Sequence, residues 1–194
     1  MSIPAFDGRG LLPPFRGDAH GRDRSPYWVD MTTIVSAFAT TDRRKSLLRG
    51  FISYRQLLRR HGFDRGVQFV DGSFVENVEV IRGREPSDID VFSLVHAPRN
   101  FLADPSSWVV QGLPIWNEEV QNAKKNKKRF NIDSYAILYE EVAGHPLGLI
   151  NHIIYWYSLF SHQRDTFSWK GFVGVDMDLV ASKEDQALAM LGTV

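Results

Sequence analysis

The chain has 194 residues, of which 43% are hydrophobic and 24% charged, a composition that predicts one folded domain rather than a disordered segment. Its 23 basic and 23 acidic side chains cancel, so no overall field attracts nucleic acid and any polyanion must meet a local patch. The chain has no cysteine, which excludes disulfides, thiolate metal sites and cysteine nucleophiles.

Residues 1–26 carry Gly, Pro, Arg and Asp without periodicity, which predicts an irregular arm followed by a single domain over 27–194. Within the arm, the apolar segment 11–14 is expected to dock on the domain. The arm lacks the apolar region of a secretory signal, and no run is long enough to cross a bilayer. We therefore expect a cytoplasmic protein without membrane association, and we interpret the most apolar stretch, 147–160, as a core helix.

Two helices are predicted after the arm. Asp30 can cap a short helix that ends at Ala39. Thr40 or Thr41 then caps a longer helix over 42–61. The apolar side chains of this longer helix fall on one side, and arginines crowd the rest of it: Arg43, Arg44, Arg55, Arg59 and Arg60. The arginine set indicates either a solvated helix face or a surface for phosphates or an acidic protein partner.

A β-rich region follows the long helix. We predict strands at Gly66–Asp71, Ile89–Val95 and 129–139 from their apolar alternation. Between the last two strands, three prolines predict a loop over 97–114, and a basic helix over 115–128 leads into the third strand.

The C-terminal part of the chain is predicted to contain a helix over 146–162, a strand over 172–177 and a last helix. Ser182, with Asp185 three residues later, has the spacing of a capping box at the start of that last helix. The order of elements predicts an α+β (α/β) fold, with a small mixed β-sheet flanked by helices.

Two short motifs carry the chemistry. Gly72-Ser73 directly follows a strand, where backbone N–H groups and a hydroxyl can hold a phosphate, although such a pair alone usually marks a turn. Asp88 and Asp90 open the next strand, and residues two apart in a strand face the same side. Nearby carboxylates repel each other unless a cation lies between them. Oxygen ligands of this kind suit Mg²⁺ or Mn²⁺.

A third carboxylate is expected from a neighbouring strand. Asp133 is the acid within the alternating segment 130–136, and by itself it would be interpreted as an exposed strand position. Beside the other two acids it becomes our candidate third metal ligand. Glu140 and Glu141 are the alternatives.

Gly72-Ser73, fourteen intervening residues, Asp88-Ile89-Asp90 and a later strand acid resemble the signature of the DNA polymerase β-type nucleotidyltransferase superfamily. More closely, the segments 71–75 and 86–91 are similar to a group of uncharacterised bacterial nucleotidyltransferase-like proteins. The similarity extends to Arg43-Arg44, to Asn131-Ile132-Asp133 and to the segment 169–172.

The resemblance implies a nucleotidyltransferase fold and a reaction class. Asp88 and Asp90 would hold two Mg²⁺ or Mn²⁺ ions, and Asp133 would orient the attacking hydroxyl. Gly72 and Ser73 would hold the triphosphate. The enzyme would move a nucleoside monophosphate from an NTP to an acceptor hydroxyl on a protein, an RNA end or a small molecule.

A different class of function is compatible with the same fold. The chain would then be a binding or regulatory subunit of a toxin–antitoxin or phage-defence assembly, with the 42–61 helix or the 1–26 arm as its protein interface. Lys170 either reaches the triphosphate or marks a turn. A basic run indicates either a solvated helix end or an RNA contact: Lys124, Lys125, Lys127 and Lys128.

Overall fold

The computed structural model describes residues 2–192, which form a five-stranded mixed sheet flanked by helices. Met1, Thr193 and Val194, at the ends of the predicted arm and domain, lie outside the described residues. The strands are β1 Tyr27–Trp28, β2 Gly66–Asp71, β3 Ile89–Val95, β4 Ile132–Leu138 and β5 Val173–Asp176, in the order β1-β5-β2-β3-β4. Strand β2 is antiparallel to β3 and β5, whereas β1 with β5 and β3 with β4 are parallel pairs. The predicted mixed class, with a sheet flanked by helices, is confirmed.

The helices surround this sheet. In chain order they are α1 Met31–Phe38, α2 Asp42–Arg60, α3 Val78–Arg82, α4 Arg99–Ala103, α5 Pro105–Ser107, α6 Leu113–Ile115, α7 Ala123–Phe130, α8 Tyr139–Ala143, α9 Pro146–Phe160, α10 Leu179–Ser182 and α11 Glu184–Met190. None of the helices within residues 2–192 combines the length and the apolar character that crossing a bilayer requires.

The starts of the first two helices follow from capping side chains, as predicted. The Asp30 carboxylate accepts a hydrogen bond from the Thr33 N–H at 2.9 Å, and the Thr41 hydroxyl accepts one from the Arg44 N–H at 3.2 Å. Helix α2 then buries its apolar side, which includes Leu47 and Phe51, in the main hydrophobic core.

The predicted docking of the arm is also confirmed. Leu11 and Leu12 are buried. The Leu12 carbonyl accepts a hydrogen bond from the Gly171 N–H at 2.6 Å, and the Tyr27 hydroxyl donates one to the Pro13 carbonyl at 2.8 Å. The arm is therefore held by apolar burial together with backbone hydrogen bonds.

The predicted loop over 97–114 is wrong, because most of this segment is helical. Helices α4, α5 and α6 lie there, with the π-helical segments Trp108–Gly112 and Trp116–Val120 continuing the turns. Pro105 stands in the first turn of α5, where a missing N–H breaks no helical hydrogen bond. Pro114 instead lies within the continuous helical turns that join Trp108–Gly112 to α6. Pro105 thus starts the helical turns here, and Pro114 does not end them.

Two further boundaries differ from the prediction. The helix predicted over 115–128 is helical through Val120 and again from Ala123, where the Asn122 side chain caps α7, so residues 121–122 interrupt it. Helix α7 extends through Phe130, and the strand predicted over 129–139 therefore begins later. The predicted capping box is wrong as well. Ser182 ends α10 and donates a hydrogen bond to the Leu179 carbonyl at 3.2 Å, and Lys183, at φ 51°, separates α10 from α11.

Most arginines of α2 do not form a solvated face, although Arg60 is exposed. Arg55 is 0% exposed and donates to Glu184 at 2.7 Å and to the Gln68 amide oxygen at 2.7 Å. Arg44 is also buried and pairs with Glu79 at 2.6 Å. The acidic partners lie 129 and 35 residues away in the chain, so local sequence contains no sign that these arginines are paired.

Helix α9 is not the core helix that its composition predicts. It lies on the face of the sheet opposite α2, where Trp156 stacks on Phe92 with ring centroids 4.5 Å apart and Phe160 is buried. Its outer side chains, Leu147 and Ile154 among them, are exposed. Apolar composition around a whole helix is typical of burial, but in this chain one stripe of α9 contacts the sheet.

Candidate active site

Three acids meet at one end of the sheet. Asp90 and Asp133 are directly paired positions on the parallel strands β3 and β4, and Asp88 precedes Asp90 by two residues. The intervening Ile89 is fully buried, so the strand turns its acids away from the main core. All three carboxylates line the same cavity.

The position of Asp133 follows from how α7 ends. Asn131 adopts φ 55°, a left-handed conformation that Asn tolerates better than most residues, and this stops the helix two residues before Asp133. The Asn131 carbonyl then accepts a hydrogen bond from the Ile89 N–H at 3.1 Å, which begins the β3–β4 pairing. Buried Asn126 joins α7 to β4 through a 2.9 Å hydrogen bond to the Ser134 hydroxyl.

Gly72 lets the chain turn directly beside Asp90. It follows β2 and opens the 3₁₀ turn Gly72–Val75, with φ 82°, where a residue with a Cβ is strained. A Cβ at this position would also overlap the Asp90 carboxylate. The predicted Gly72-Ser73 turn therefore lies against the acid cluster, and Ser73 lines the same cavity as the three acids.

A buried charged group supports this turn from behind. The Lys170 ammonium lies 2.8 Å from an Asp71 carboxylate oxygen, 3.2 Å from Glu76 and 3.2 Å from the Gly72 carbonyl. Lys170 is only 1% exposed. Burial raises the pKa of Asp71 to about 7, and the nearby ammonium opposes that rise. These contacts make Lys170 a positioning residue for Gly72, although it also borders the cavity.

Negative charge is in excess at the centre of the cluster. Burial raises the pKa of Asp90 to about 6, and repulsion from Asp88 and Asp133 adds to the rise. The Lys127 ammonium lies 2.6 Å from Asp88 and 3.4 Å from Asp133, and its hydrogen bond to Asp88 raises the pKa of Lys127. One flexible side chain thus supplies the nearest cation to two of the three acids.

The donor chemistry fits a divalent cation. Three carboxylates face the same cavity, and carboxylate oxygens are ligands of Mg²⁺ and Mn²⁺. The Lys127 ammonium lies between two of them, Asp88 and Asp133, where a positive charge is attracted to both. Within residues 2–192, no three acidic or histidine side chains already stand as close together as metal ligands do. In this structure Lys127 therefore supplies the positive charge between Asp88 and Asp133.

The cavity that the acids line has a volume of about 750 Å³, which is within the range of small-molecule sites. Three arginines line it as well: Arg84 and Arg164 are exposed, whereas Arg82 pairs with Asp165 at 3.1 Å. Of the predicted basic run, Lys127 lines the cavity, whereas Lys125 pairs with Glu119 at 2.7 Å. The cavity therefore combines an acidic floor with a basic rim.

Glu140, an alternative for the third acid, lies beyond the opposite end of β4. Its carboxylate accepts a hydrogen bond from the Ala97 N–H at 2.9 Å and contacts His96 at 2.8 Å. Glu141 is exposed in the same helix, α8. The strand thus separates both alternatives from Asp90, which leaves Asp133 as the third acid of the cluster.

Sequence reasoning missed how α2 holds both loops of the site. Arg43 donates to the Ser87 carbonyl, and to the Pro86 carbonyl at 3.2 Å, just before Asp88. Its neighbour Arg44 donates to the Phe74 carbonyl at 2.6 Å, just after the Gly-Ser turn. The sequence did contain one indication of this role, because the similarity to the nucleotidyltransferase-like proteins extends from the site motifs to Arg43-Arg44.

Comparisons with known proteins give one match. No curated protein sequence and no solved structure matches the chain. Residues 4–176 match a family of unknown function, DUF6932, and this match spans most of the chain. The protein therefore belongs to the DUF6932 family.

Proposed function

We propose that this protein is a metal-dependent nucleotidyltransferase with a nucleotidyltransferase fold. The observation that carries the proposal is the pairing of Asp90 with Asp133 on adjacent strands, with Asp88 beside them and Gly72 packed against Asp90. This arrangement puts the two motifs of the resemblance, which are distant in sequence, into one cavity.

The charge pattern of the cavity supports the choice of substrate. A nucleoside triphosphate carries several negative charges next to a neutral base and sugar. The exposed arginines of the basic rim, Arg84 and Arg164, can bind phosphate oxygens through guanidinium groups, and the Ser73 hydroxyl can donate a hydrogen bond to them. The acidic floor would repel the same phosphates unless cations lay between, so the two parts of the cavity fit a metal–triphosphate complex better than either component alone.

Each acid has a separate role in the proposed reaction. Asp88 and Asp90 would hold the divalent ions, which offset charge on the attacking and leaving oxygens of phosphoryl transfer. Asp133, on the neighbouring strand, would orient the acceptor hydroxyl and take up its proton. The acceptor oxygen bonds to the α-phosphorus, the bond from that phosphorus to the bridging oxygen breaks, and pyrophosphate leaves.

Calorimetry tests the proposal directly. We expect ATP, GTP, CTP or UTP to bind in the presence of Mg²⁺ or Mn²⁺, and we expect the double variant Asp88→Asn/Asp90→Asn to lose that binding while remaining folded. The matched control is Asp42→Asn/Glu141→Gln, which removes the same charge at exposed positions. Pyrophosphate release should follow the same order among the variants.

Two results would contradict the enzyme proposal. One is a folded wild-type protein that binds none of the four triphosphates with either metal. The other is binding that the double variant retains. Either result would favour a binding subunit of a toxin–antitoxin or phage-defence assembly, in which the fold serves contacts and not turnover.

A further inference from the structure

Helix α9, Pro146–Phe160, is the most apolar surface element of the described chain. It contains no Asp, Glu, Lys or Arg over its fifteen residues. Its inner side packs on the sheet through Trp156 and Phe160. A helix that is apolar on every side normally has every side buried, so the outer side of α9 requires an explanation.

The exposed side chains of α9 form a stripe. Leu147, Ile150, Ile154 and Tyr157 are all exposed, with Leu147 at 72% and Ile154 at 57%, and they follow one another at spacings of three, four and three. This is the a/d spacing by which two helices pack together along their length. The stripe therefore has the residue types and the geometry of a helix–helix contact.

The stripe is wide enough for a stable interface. Ile153 and Tyr155 flank it on its two sides and are exposed as well. Taken with the stripe, these side chains present roughly 600 Å² of surface, which is the lower limit of the about 600–1,000 Å² that each partner buries in standard protein interfaces. Monomers rarely expose continuous apolar patches larger than a few hundred Å². The area on α9 thus reaches the lower limit for one half of a protein–protein interface.

We propose that the occupant of this stripe is a second copy of the chain, whose α9 packs against the first across a two-fold axis. A two-fold interface uses the same surface on both subunits, so the partner must itself be an apolar and uncharged helix. Helix α9 has those properties and the required length, about 22 Å. The zero net charge of the chain adds no repulsion between copies. In the antiparallel arrangement, Leu147 of one copy faces Tyr157 of the other and the helix dipoles oppose each other.

The dimer does not depend on the proposed function, because it uses the outer side of α9. The neighbouring residues Ser158 and Leu159 do line the acidic cavity, however. The interface would therefore lie beside the cavity, and an acceptor large enough to reach beyond its mouth would meet both subunits.

Analytical ultracentrifugation of the full chain tests this inference. We expect wild type to sediment with the mass of two chains at micromolar concentration, and Ile154→Lys to sediment as one chain with an unchanged circular dichroism spectrum. Two matched controls should remain dimeric. Ile154→Leu keeps the stripe apolar, and Val180→Lys adds the same charge at an exposed apolar side chain in α10.

Engineered cysteines give a second measurement, which is clean because the chain has no cysteine of its own. Leu147→Cys/Tyr157→Cys should form an intermolecular disulfide, and Leu147→Cys alone should not. A wild-type protein that sediments as one chain at about 100 µM would overturn the inference. It would also be overturned if Ile154→Lys remained dimeric, if Val180→Lys dissociated equally, or if a monomeric wild type bound phosphatidylcholine vesicles through the stripe.

Discussion

Two regions of this molecule treat charge in opposite ways. Between α2 and α11, the guanidinium groups of Arg55 and Arg59 share the Glu184 carboxylate, and Gln68 and the Asp176 carbonyl accept further hydrogen bonds from Arg55. At the start of β3 and β4, three carboxylates face one cavity, and one flexible side chain, Lys127, pairs with two of them.

The difference indicates which region serves stability and which serves binding. A buried charge costs several kcal/mol unless it is paired and hydrogen-bonded, and the Arg55 network satisfies both conditions. The acid cluster satisfies neither fully, and the raised pKa of Asp90 reflects the unfavourable charge that remains. Such unfavourable charge is typical of functional sites, where a ligand provides the missing countercharge. The four predictions below test this contrast, from the largest expected effect to the smallest.

The largest effect is expected in the paired region. Glu184→Gln removes the carboxylate that Arg55 and Arg59 share and leaves a fully buried guanidinium without a counterion. We expect a loss of about 3–5 kcal/mol in the free energy of unfolding, measured by urea denaturation. Glu141→Gln, at an exposed position, should change it by less than about 0.5 kcal/mol. A loss below about 1 kcal/mol for Glu184→Gln would mean that the network is not a stabilising pair.

Gly72→Ala tests how the turn after β2 packs against the acid cluster. We expect a loss of about 2 kcal/mol in the free energy of unfolding, because alanine is strained at φ 82° and its Cβ overlaps Asp90. Gly83→Ala is the matched control, since Gly83 also has a positive φ, 60°, but nothing lies near its Cβ position. It should lose about 1 kcal/mol and bind Mn²⁺ as wild type does. Equal losses for the two variants, with equal Mn²⁺ binding, would contradict a role for Gly72 at the acid cluster.

The strands that carry the site could be predicted from sequence alone. β2 and β3 begin and end where their composition and flanking residues indicate, because glycine, proline and charged residues bound short β-branched runs. The period of two along a strand placed Asp88 and Asp90 on one face. The prediction of Asp133 as the third acid required the assumption that its strand lies next to β3. The pairing of β3 with β4 confirms that assumption.

Contacts between distant segments could not be predicted in this way. Lys170 meets Asp71 across 99 residues, and Arg55 meets Glu184 across 129, so no local pattern signals either pair. The exposure of α9 was missed for a different reason. An apolar helix has the same sequence whether it is buried in its own domain or in an interface, and only the arrangement of the other elements distinguishes the two.

Asp90→Asn should make the protein more stable at neutral pH. Because the pKa of Asp90 is raised from 3.8 to about 6 in the folded state, the unfolded chain releases this proton at a lower pH than the folded protein does. The free energy of unfolding therefore falls as the pH rises from about 4 to about 6 and is constant above that range. Asparagine does not ionise, and the rise in pKa corresponds to at most about 3 kcal/mol. Because solvent partly screens this group, we expect a gain of about 1–2 kcal/mol above pH 7 that disappears near pH 4. Urea denaturation at several pH values in EDTA measures the difference. A gain in the free energy of unfolding that is the same at every pH would show that the charge of Asp90 does not destabilise the folded protein.

The smallest effect concerns the side chain that partly balances the cluster. Lys127→Met removes the ammonium that contacts Asp88 and Asp133, and therefore removes a competitor for a metal ion at the same carboxylates. Partly exposed ion pairs contribute up to about 1 kcal/mol, so we expect Mn²⁺ to bind about five-fold more tightly, with a smaller gain at high salt because exposed charges are screened. Lys124→Met, on the exposed side of the same helix, should leave Mn²⁺ affinity unchanged. If Lys127→Met instead weakened Mn²⁺ binding, the ammonium would position the carboxylates for the metal and would not compete with it. That result would contradict the interpretation that the unbalanced negative charge of the cluster favours cation binding.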